Sequence, residues 1–339
     1  MKNLKRFRQI NLLNIFIAVS AFCTMPAFAQ YPSGSPVAIN GKLKVSGTQL
    51  TNECGNPVQL RGMSTHGVQW FPNCYTALSL NTLVNEWGLD VFRIAMYVQE
   101  GGYINNPSYW KTWIDNMVTE CGNRGIYCLI DWHVLNPGDP NTNITEAREF
   151  WSYMSAKHTG KKHVLYEICN EPNGVTWPTV KTYANEIIPR IRANDASAII
   201  VVGTPSWSQD VDLASADKLN YTNIMYALHF YSGTHTSYLR DKANVAIANG
   251  AALFVTECGT STASGDGGPY LTEMQTWIDW MATNRISWIN WNYADKSETS
   301  SALSPGACGT SSWSNTSASG SFMKKKISSP ADNFVCEKR

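Results

Sequence analysis

The sequence has no excess of charge of either sign: 27 Lys and Arg stand against 26 Asp and Glu. It also lacks a basic stripe, which argues against nucleic acid as a partner, because phosphate binding needs clustered cations. Its nine cysteines are irregularly spaced and match no metal-site pattern. No Gly-rich dinucleotide loop follows the first strand-like run, which counts against a dinucleotide fold, and no paired His-x-His stands on that run; neither a cofactor nor a metal is expected. Past residue 29, no apolar run is long enough to cross a membrane.

Residues 1–29 read differently. Lys2, Lys5, Arg6 and Arg8 precede an apolar stretch from Ile10 to about Phe22, and Ala27-Phe28-Ala29 supplies a small-x-small cleavage pattern before Gln30. A cleaved secretory signal is expected at 1–29. A single catalytic domain then fills 30–339, exported to the extracellular space or the periplasm, with no membrane attachment after cleavage and as a monomer. Cleavage leaves 23 Lys and Arg against 26 Asp and Glu, a net charge of −3.

What the chain does have is aromatic surface, with 13 tryptophans and 15 tyrosines. Aromatic faces pack cores, but they are also what the C–H face of a sugar ring stacks on. Eight short apolar or β-branched runs recur: 59–67, 91–97, 127–133, 164–172, 198–203, 224–231, 252–259 and 287–293. Helical periods lie between several of them. Trp110, Trp113, Ile114, Met117, Val118 and Cys121 follow one such period, and Val180, Tyr183, Ala184, Ile187, Ile188 and Ile191 another. A shorter version runs through Leu80, Leu83, Val84 and Trp87, and the segment after the fifth run is the least helical. Strands alternating with helices predict an α/β fold, a closed (β/α)8 TIM barrel, with a doubly wound open sheet as the alternative. Residues 37–58, with Asn-Gly and Cys-Gly-Asn-Pro turn signals, predict a β-hairpin closing the barrel bottom. The Ser/Gly-rich stretch 297–321 is expected to be a long last loop.

Polar residues gather at the carboxyl ends of these runs: His66, Arg93, Tyr97, His133, Asn170, Glu171, His229, Tyr231, Glu257 and Trp291. In a barrel those ends form one rim, where active sites are built. His158 and His163, by contrast, read as surface residues. Cleaving a glycosidic bond takes one carboxyl group to protonate the departing oxygen and another to capture the oxocarbenium-like carbon. Arg93 in an apolar strand needs an anionic partner, and pairing with Glu257 would favour the ionised, nucleophilic form. Glu171 shows no obvious cation beside it, which suits an acid. Asn170 offers an amide for a sugar 2-hydroxyl, and His229 and Tyr231, two residues apart, face the barrel axis together.

Val164-Leu-Tyr-Glu-Ile-Cys-Asn-Glu-Pro-Asn173 and Phe254-Val-Thr-Glu-Cys-Gly259 resemble the fourth- and seventh-strand motifs of glycoside hydrolase family 5. The resemblance continues through Gln59–Gly67, Asp131-Trp-His133, Ala227–Tyr231 and Trp291–Leu303, the last similar to bacterial endoglucanases of the second subfamily. It implies a retaining endo-β-1,4-glucanase acting on β-glucan, with Glu171 as acid/base and Glu257 as nucleophile. Arg93 and Tyr231 would bracket the nucleophile, and His133, Asn170 and His229 would hold the site around the scissile sugar. Trp291 would floor it, Trp70 and Trp207 would be stacking platforms, Lys296 and Glu298 would bind hydroxyls, and His66 and Tyr97 would complete the cleft. No cellulose-binding module is recognised beside the domain, so soluble or amorphous glucan is the expected substrate.

Cys169 and Cys258, beside the catalytic pair, are expected to be buried free thiols. Barrel closure suggests the pairings Cys74–Cys308, Cys54–Cys336 and Cys121–Cys128. Competing readings are a metal-dependent hydrolase using His66, His133 and His229, a thiol nucleophile, a non-catalytic carbohydrate binder, and a mannanase, xyloglucanase or lichenase of similar mechanism.

Overall fold

A computed structural model describes residues 31–329; the expected signal segment and Cys336 lie outside the described residues. Two short antiparallel strands come first, β1 (Lys44–Ser46) and β2 (Gln49–Thr51). Eight parallel strands then close a barrel in the order β10-β3-β4-β5-β6-β7-β8-β9. These are β3 (Arg61–Ser64), β4 (Val91–Tyr97), β5 (Tyr127–His133), β6 (Val164–Glu167), β7 (Ile200–Val202), β8 (Ile224–Tyr231), β9 (Leu253–Gly259) and β10 (Trp288–Asn290). Each lies within its expected run, and β4, β5 and β8 match at both ends.

The helices cover the barrel because their apolar stripes need burial. They are α1 (Pro36–Asn40), α2 (Ala77–Trp87), α3 (Pro107–Arg124), α4 (Ile144–Lys157), α5 (Trp177–Arg192), α6 (Pro205–Ser208), α7 (Val211–Ala216), α8 (Ser237–Ala248), α9 (Leu271–Thr283) and α10 (Ala318–Ile327). All six periodic residues picked out in α5 are buried. Thr76 and Ser79 form a capping box at the start of α2, and Gly88 ends it at φ 68°, a left-handed conformation that a side chain would resist. After β7 the chain makes only the short α6 and α7, as its weak periodicity implied.

The amino-terminal expectation needs one correction. Pro36 sits in a first helical turn, where a missing N–H costs nothing, and Ser35 accepts from Ala38 N at 3.4 Å, so residues 36–40 form α1. The Asn40-Gly41 signal ends this helix instead of turning a hairpin. The hairpin turn lies at Gly47-Thr48, between Ser46 and its partner Gln49. Leu43, Leu50, Val58 and Leu60 pack with Val91, Leu129, Leu165, Val201, Phe254 and Ile289, so this segment plugs the barrel floor. His158 and His163 are also not on the surface. Hydrogen bonds accompany the burial: His158 Nδ1 meets Lys161 Nζ at 3.1 Å, and His163 bridges Tyr31 Oη and the Val118 carbonyl at 3.0 and 2.9 Å.

Among the cysteines, Cys74 and Cys308 are joined, tying the loop after β3 to the loop after β10. Cys121 and Cys128 are not bonded to each other; both are buried free thiols, the Cys121 thiol hydrogen-bonding beside Cys128. They sit in the dry layer between α3 and β5, where small apolar groups pack well without a covalent link. Cys54 is in a disulfide, while the Cys336 half of its expected pairing lies outside the described residues.

Candidate active site

Inside a barrel strand every second side chain points to the axis, which sorts the interior into layers. Below lies the apolar layer that meets the floor. Above it, Arg93, Asp131 and Glu167 come inward from β4, β5 and β6, each two residues beyond an apolar inward neighbour. The top layer carries Tyr97, His133, Glu171, Tyr231, Glu257 and Trp291 into a cleft of about 650 Å³. His66, Trp70, Trp207, His229, Lys296 and Glu298 line the same cleft. Of the site residues read from the sequence, only Arg93 and Asn170 stand behind its wall, both fully buried.

The position of Glu257 depends on an irregularity. Between Ala227↔Phe254 and His229↔Glu257 the β8–β9 pairing slips by one residue, the extra residue lying on β9. Such a bulge re-aims a side chain. Here it turns consecutive residues into the interior: Thr256 bonds to His229 and Glu167, while Glu257 bonds to Arg93 and Tyr231.

Glu257 accepts from Tyr231 Oη at 2.6 Å on one oxygen and from Arg93 Nη1 at 3.2 Å on the other. Tyr231 is held well above the usual phenol range by burial and by the Glu257 charge, so it stays a donor. The expected Arg93–Glu257 pair is there, but Glu257 is one of three carboxylates on this guanidinium. Arg93 Nε lies 2.7 Å from Glu167 Oε2 and Nη2 lies 3.0 Å from Asp131 Oδ2. Ser64 Oγ and Asn170 Oδ1 accept as well, at 3.3 and 2.6 Å. A fully buried guanidinium needs that many acceptors. The Asn170 amide is therefore engaged from behind, with its nitrogen 3.2 Å from His133 Nε2 and 3.3 Å from the Val134 carbonyl.

Glu171 does have a cationic neighbour, contrary to the sequence reading. His229 Nδ1 lies 2.9 Å from its Oε1. Burial and the Glu257 charge nonetheless raise the Glu171 pKa, outweighing the His229 hydrogen bond and Arg93. His229 itself would be lowered by burial, but Glu167, 3.7 Å from Nε2, the hydrogen bond to Glu171 and the nearby carboxylate charges lift it to about 9. His133 is driven the other way, to about 3, by burial and Arg93, and its Nδ1 lies 2.7 Å from Asp131 Oδ2. Its neutral ring stacks on Trp291 with centroids 5.4 Å apart.

Trp70 and Trp207 are 44 % and 47 % exposed, unusual for tryptophan and suited to a stacking surface. Lys296 and Glu298 are paired at 2.5 Å, and Glu298 also accepts from Asn292 and Ser300 at 3.2 and 2.7 Å. Sequence reasoning missed Glu167, Asp131 and Thr256 beneath the site, and His235 and Gln209 on its wall. Cys169 and Cys258 are buried free thiols, as expected; burial raises both, so neither is a thiolate. Among the described residues, two groups of metal-ligand type have atoms within 4.8 Å of one another: Glu171, His229 and Glu257, and Cys74, Asp295 and Cys308. The trio His66, His133 and His229 is not brought together in this way, and the two cysteines are consumed in their disulfide.

A family model described as Cellulase (glycosyl hydrolase family 5) matches residues 51–297. The chain is 46% identical over 331 residues to the "Endoglucanase" of Clostridium saccharobutylicum, spanning 96% of this chain and 74% of that protein. It is 45% identical over 304 residues to "Endoglucanase 5" of Pectobacterium carotovorum subsp. carotovorum, spanning 88% of this chain and 60% of that protein. Among solved structures, Cellulase Cel5C_n superposes with a TM-score of 0.90 at 59% identity, over 91% of this chain and 98% of that one. The catalytic domain of Thermobifida fusca endoglucanase Cel5A in complex with cellotetraose gives 0.84 at 41% identity, over 87% and 100%.

Proposed function

The chain belongs to glycosyl hydrolase family 5 and is a glycoside hydrolase of the endo-1,4-β-glucanase class; from that premise we propose that it cuts internal bonds of cellulose-type β-1,4-glucans with retention of configuration. The observation that carries the retaining mechanism is the spacing of the two carboxylates. Ligand oxygens of Glu171 and Glu257 lie within 4.8 Å of each other. Retaining pairs stand about 5–5.5 Å apart, whereas inverting pairs leave about 6.5–9.5 Å for a water.

In the first step Glu257 attacks the anomeric carbon. The bond to the departing 4-oxygen breaks, and that oxygen takes the Glu171 proton. In the second step Glu171, now a carboxylate, removes a proton from water. The resulting oxygen nucleophile displaces Glu257 from the glycosyl ester. Arg93 and Tyr231 hold Glu257 in line, so orientation costs nothing at the moment of attack. Trp70 and Trp207 receive sugar faces, Trp291 floors the subsite at the cut, and Lys296 with Glu298 meets hydroxyls further along. The cellotetraose carried by the Thermobifida fusca relative supports a chain of linked glucose units as the ligand. The basic and apolar start followed by Ala27-Phe28-Ala29 supports export with loss of residues 1–29; amino-terminal sequencing of the exported protein should begin at Gln30.

Proton NMR of cellotetraose hydrolysis, with product sizing on carboxymethyl-cellulose, lichenan, mannan and xyloglucan, tests the proposal. β-anomers should appear first, and internal cuts should shorten β-1,4-glucan quickly. Initial α-anomers would refute double displacement, and preferred cleavage of mannan would refute the substrate.

A further inference from the structure

Behind the cleft the two carboxylates of the proposed mechanism are connected by an unbroken buried chain. Glu171 Oε1 meets His229 Nδ1 at 2.9 Å, and His229 Nε2 meets Thr256 Oγ1 at 2.9 Å. Thr256 Oγ1 donates to Glu167 Oε1 at 2.5 Å, Arg93 Nε donates to Glu167 Oε2 at 2.7 Å, and Arg93 Nη1 reaches Glu257. Glu167 and Thr256 are both fully buried and neither touches the cleft.

The direction of the hydrogens along this chain is fixed by inventory. A threonine hydroxyl has one hydrogen, and an ionised carboxylate only accepts. Burial opposes the Glu167 charge, but Arg93 and His229 outweigh it and hold Glu167 at about 2, so it is the acceptor. The Thr256 hydrogen is thereby committed to Glu167, and Oγ1 must accept from His229 Nε2–H. Glu167 Oε1 lies only 3.7 Å from Nε2 and adds its charge directly.

We propose that Glu167 is a positioning residue for the acid: acting through Thr256, it holds His229 as a doubly protonated ring whose Nδ1–H occupies Glu171 Oε1, confining the transferable proton to Oε2. Were the ring neutral, the single hydrogen that Thr256 fixes on Nε2 would leave Nδ1 an acceptor, and the Glu171 proton would be drawn into the protein instead of towards the departing oxygen. The groups facing His229 are Glu167 from β6, Glu171 after it, Thr256 and Glu257 from β9, Asp131 and His133 from β5, and His235 after β8. The carboxylates among them favour the cation, and the two other histidines, at about 3 and about 4, are neutral.

The inference rests on the acid role given to Glu171, so its test includes a measurement that needs no substrate. Nitrogen-15 NMR of His229 in the full chain at pH 7 should show both ring nitrogens protonated; a neutral ring would overturn the proposal whatever the activity. Thr256→Val should move the alkaline limb of kcat/KM to lower pH by about one unit, the scale of losing one hydrogen bond to a charged group. It should lower kcat on cellotetraose about tenfold yet spare release of dinitrophenolate from its cellobioside, a departure that needs no proton. Thr256→Ser, which keeps the hydroxyl, should restore the limb. An unmoved limb in Thr256→Val, or equal losses on both substrates, overturns the relay. If Thr256→Val does not fold, Thr256→Ala takes its place and the NMR result decides. Full activity in Glu171→Gln would instead overturn the acid assignment itself.

Discussion

Replacing Glu257 by Gln should lower the pKa of Glu171, by an amount the geometry sets. The two carboxylates have oxygens within 4.8 Å of each other. At an effective dielectric constant of about 20, a charge at that distance is worth about 3.5 kcal/mol, or about 2.5 pKa units. Burial comes first among the causes that raise Glu171 and the Glu257 charge second, so the fall should be large without removing the desolvation penalty. A drop of about 2 units is expected. Carbon-13 NMR of labelled glutamate carboxyls, titrated in the native enzyme and in Glu257→Gln, measures it, with Glu171→Gln identifying the resonance. A fall below about half a unit would refute the electrostatic coupling, being within ordinary environmental scatter. The mechanistic consequence is direct. In the proposed double displacement, esterification of Glu257 would remove the same charge that Gln removes. Glu171, the proposed acid of the first step, would thereby be made a base for the second, without any movement of the protein.

The Cys74–Cys308 bond closes a separation of 234 residues, for which chain entropy gives about 5.5 kcal/mol as an upper figure and experience about 2–4. Cys74→Ser/Cys308→Ser should lower the urea midpoint accordingly, and a loss under about 1 kcal/mol would contradict it. Because Cys308 N–H donates to Asp295 at 3.0 Å, next to Lys296, the same variant should raise KM more than it lowers kcat. Trp207→Ala should leave Tm nearly unchanged, since the ring is 47 % exposed, while raising KM about fivefold from the loss of about 1 kcal/mol of stacking; an unchanged KM would remove it from the binding surface. Stability should also depend on pH through two buried groups. Glu167 is held at about 2 from 4.5, so its contribution is present above about 4.5 and lost as pH falls through 2. His229 is held at about 9 from 6.5, so its contribution is complete below 6.5 and lost as pH rises through 9. Calorimetric Tm should decline across that alkaline window, and His229→Asn should flatten the decline; a flat native profile would count against the raised value.

The barrel was legible because its strands are buried on both faces and its helices on one, so composition and period both change at each boundary. The rim was legible because polar residues stand at strand ends. The layer below was not, although a signal for it existed. Arg93, Asp131 and Glu167 each interrupt an apolar strand, and the register Ala95↔Asp131↔Glu167 places the two acids side by side. Asking how many acceptors a buried guanidinium requires would have found them, whereas looking for one partner stopped at Glu257. Thr256 was beyond reach for a different reason. Strict alternation sends Thr256 and Glu257 to opposite faces, and only the bulge in β9 brings both inward. His229 was placed correctly, but its contact with Glu171 joins β8 to the segment after β6, a distance that no local pattern encodes.

The buried layer also gives two chemically identical side chains the unequal surroundings that the opposite roles proposed for them require. Burying net charge is far more costly than burying a balanced set. Arg93 and His229 supply two cations beneath the cleft. Four carboxyl groups surround them, and burial raises two of these, Asp131 well above its usual range and Glu171 more modestly. Glu167 is pinned by both cations, and Glu257 is held by Arg93 and Tyr231. Raising two of the four carboxyl groups lowers the net charge buried beside the two cations. Of the two raised carboxyl groups only Glu171 lines the cleft, so it is the one placed to carry a proton there. The asymmetry of the pair is therefore a property of the whole layer, set by where Arg93 distributes its five N–H groups and by what Glu167 does with the remainder.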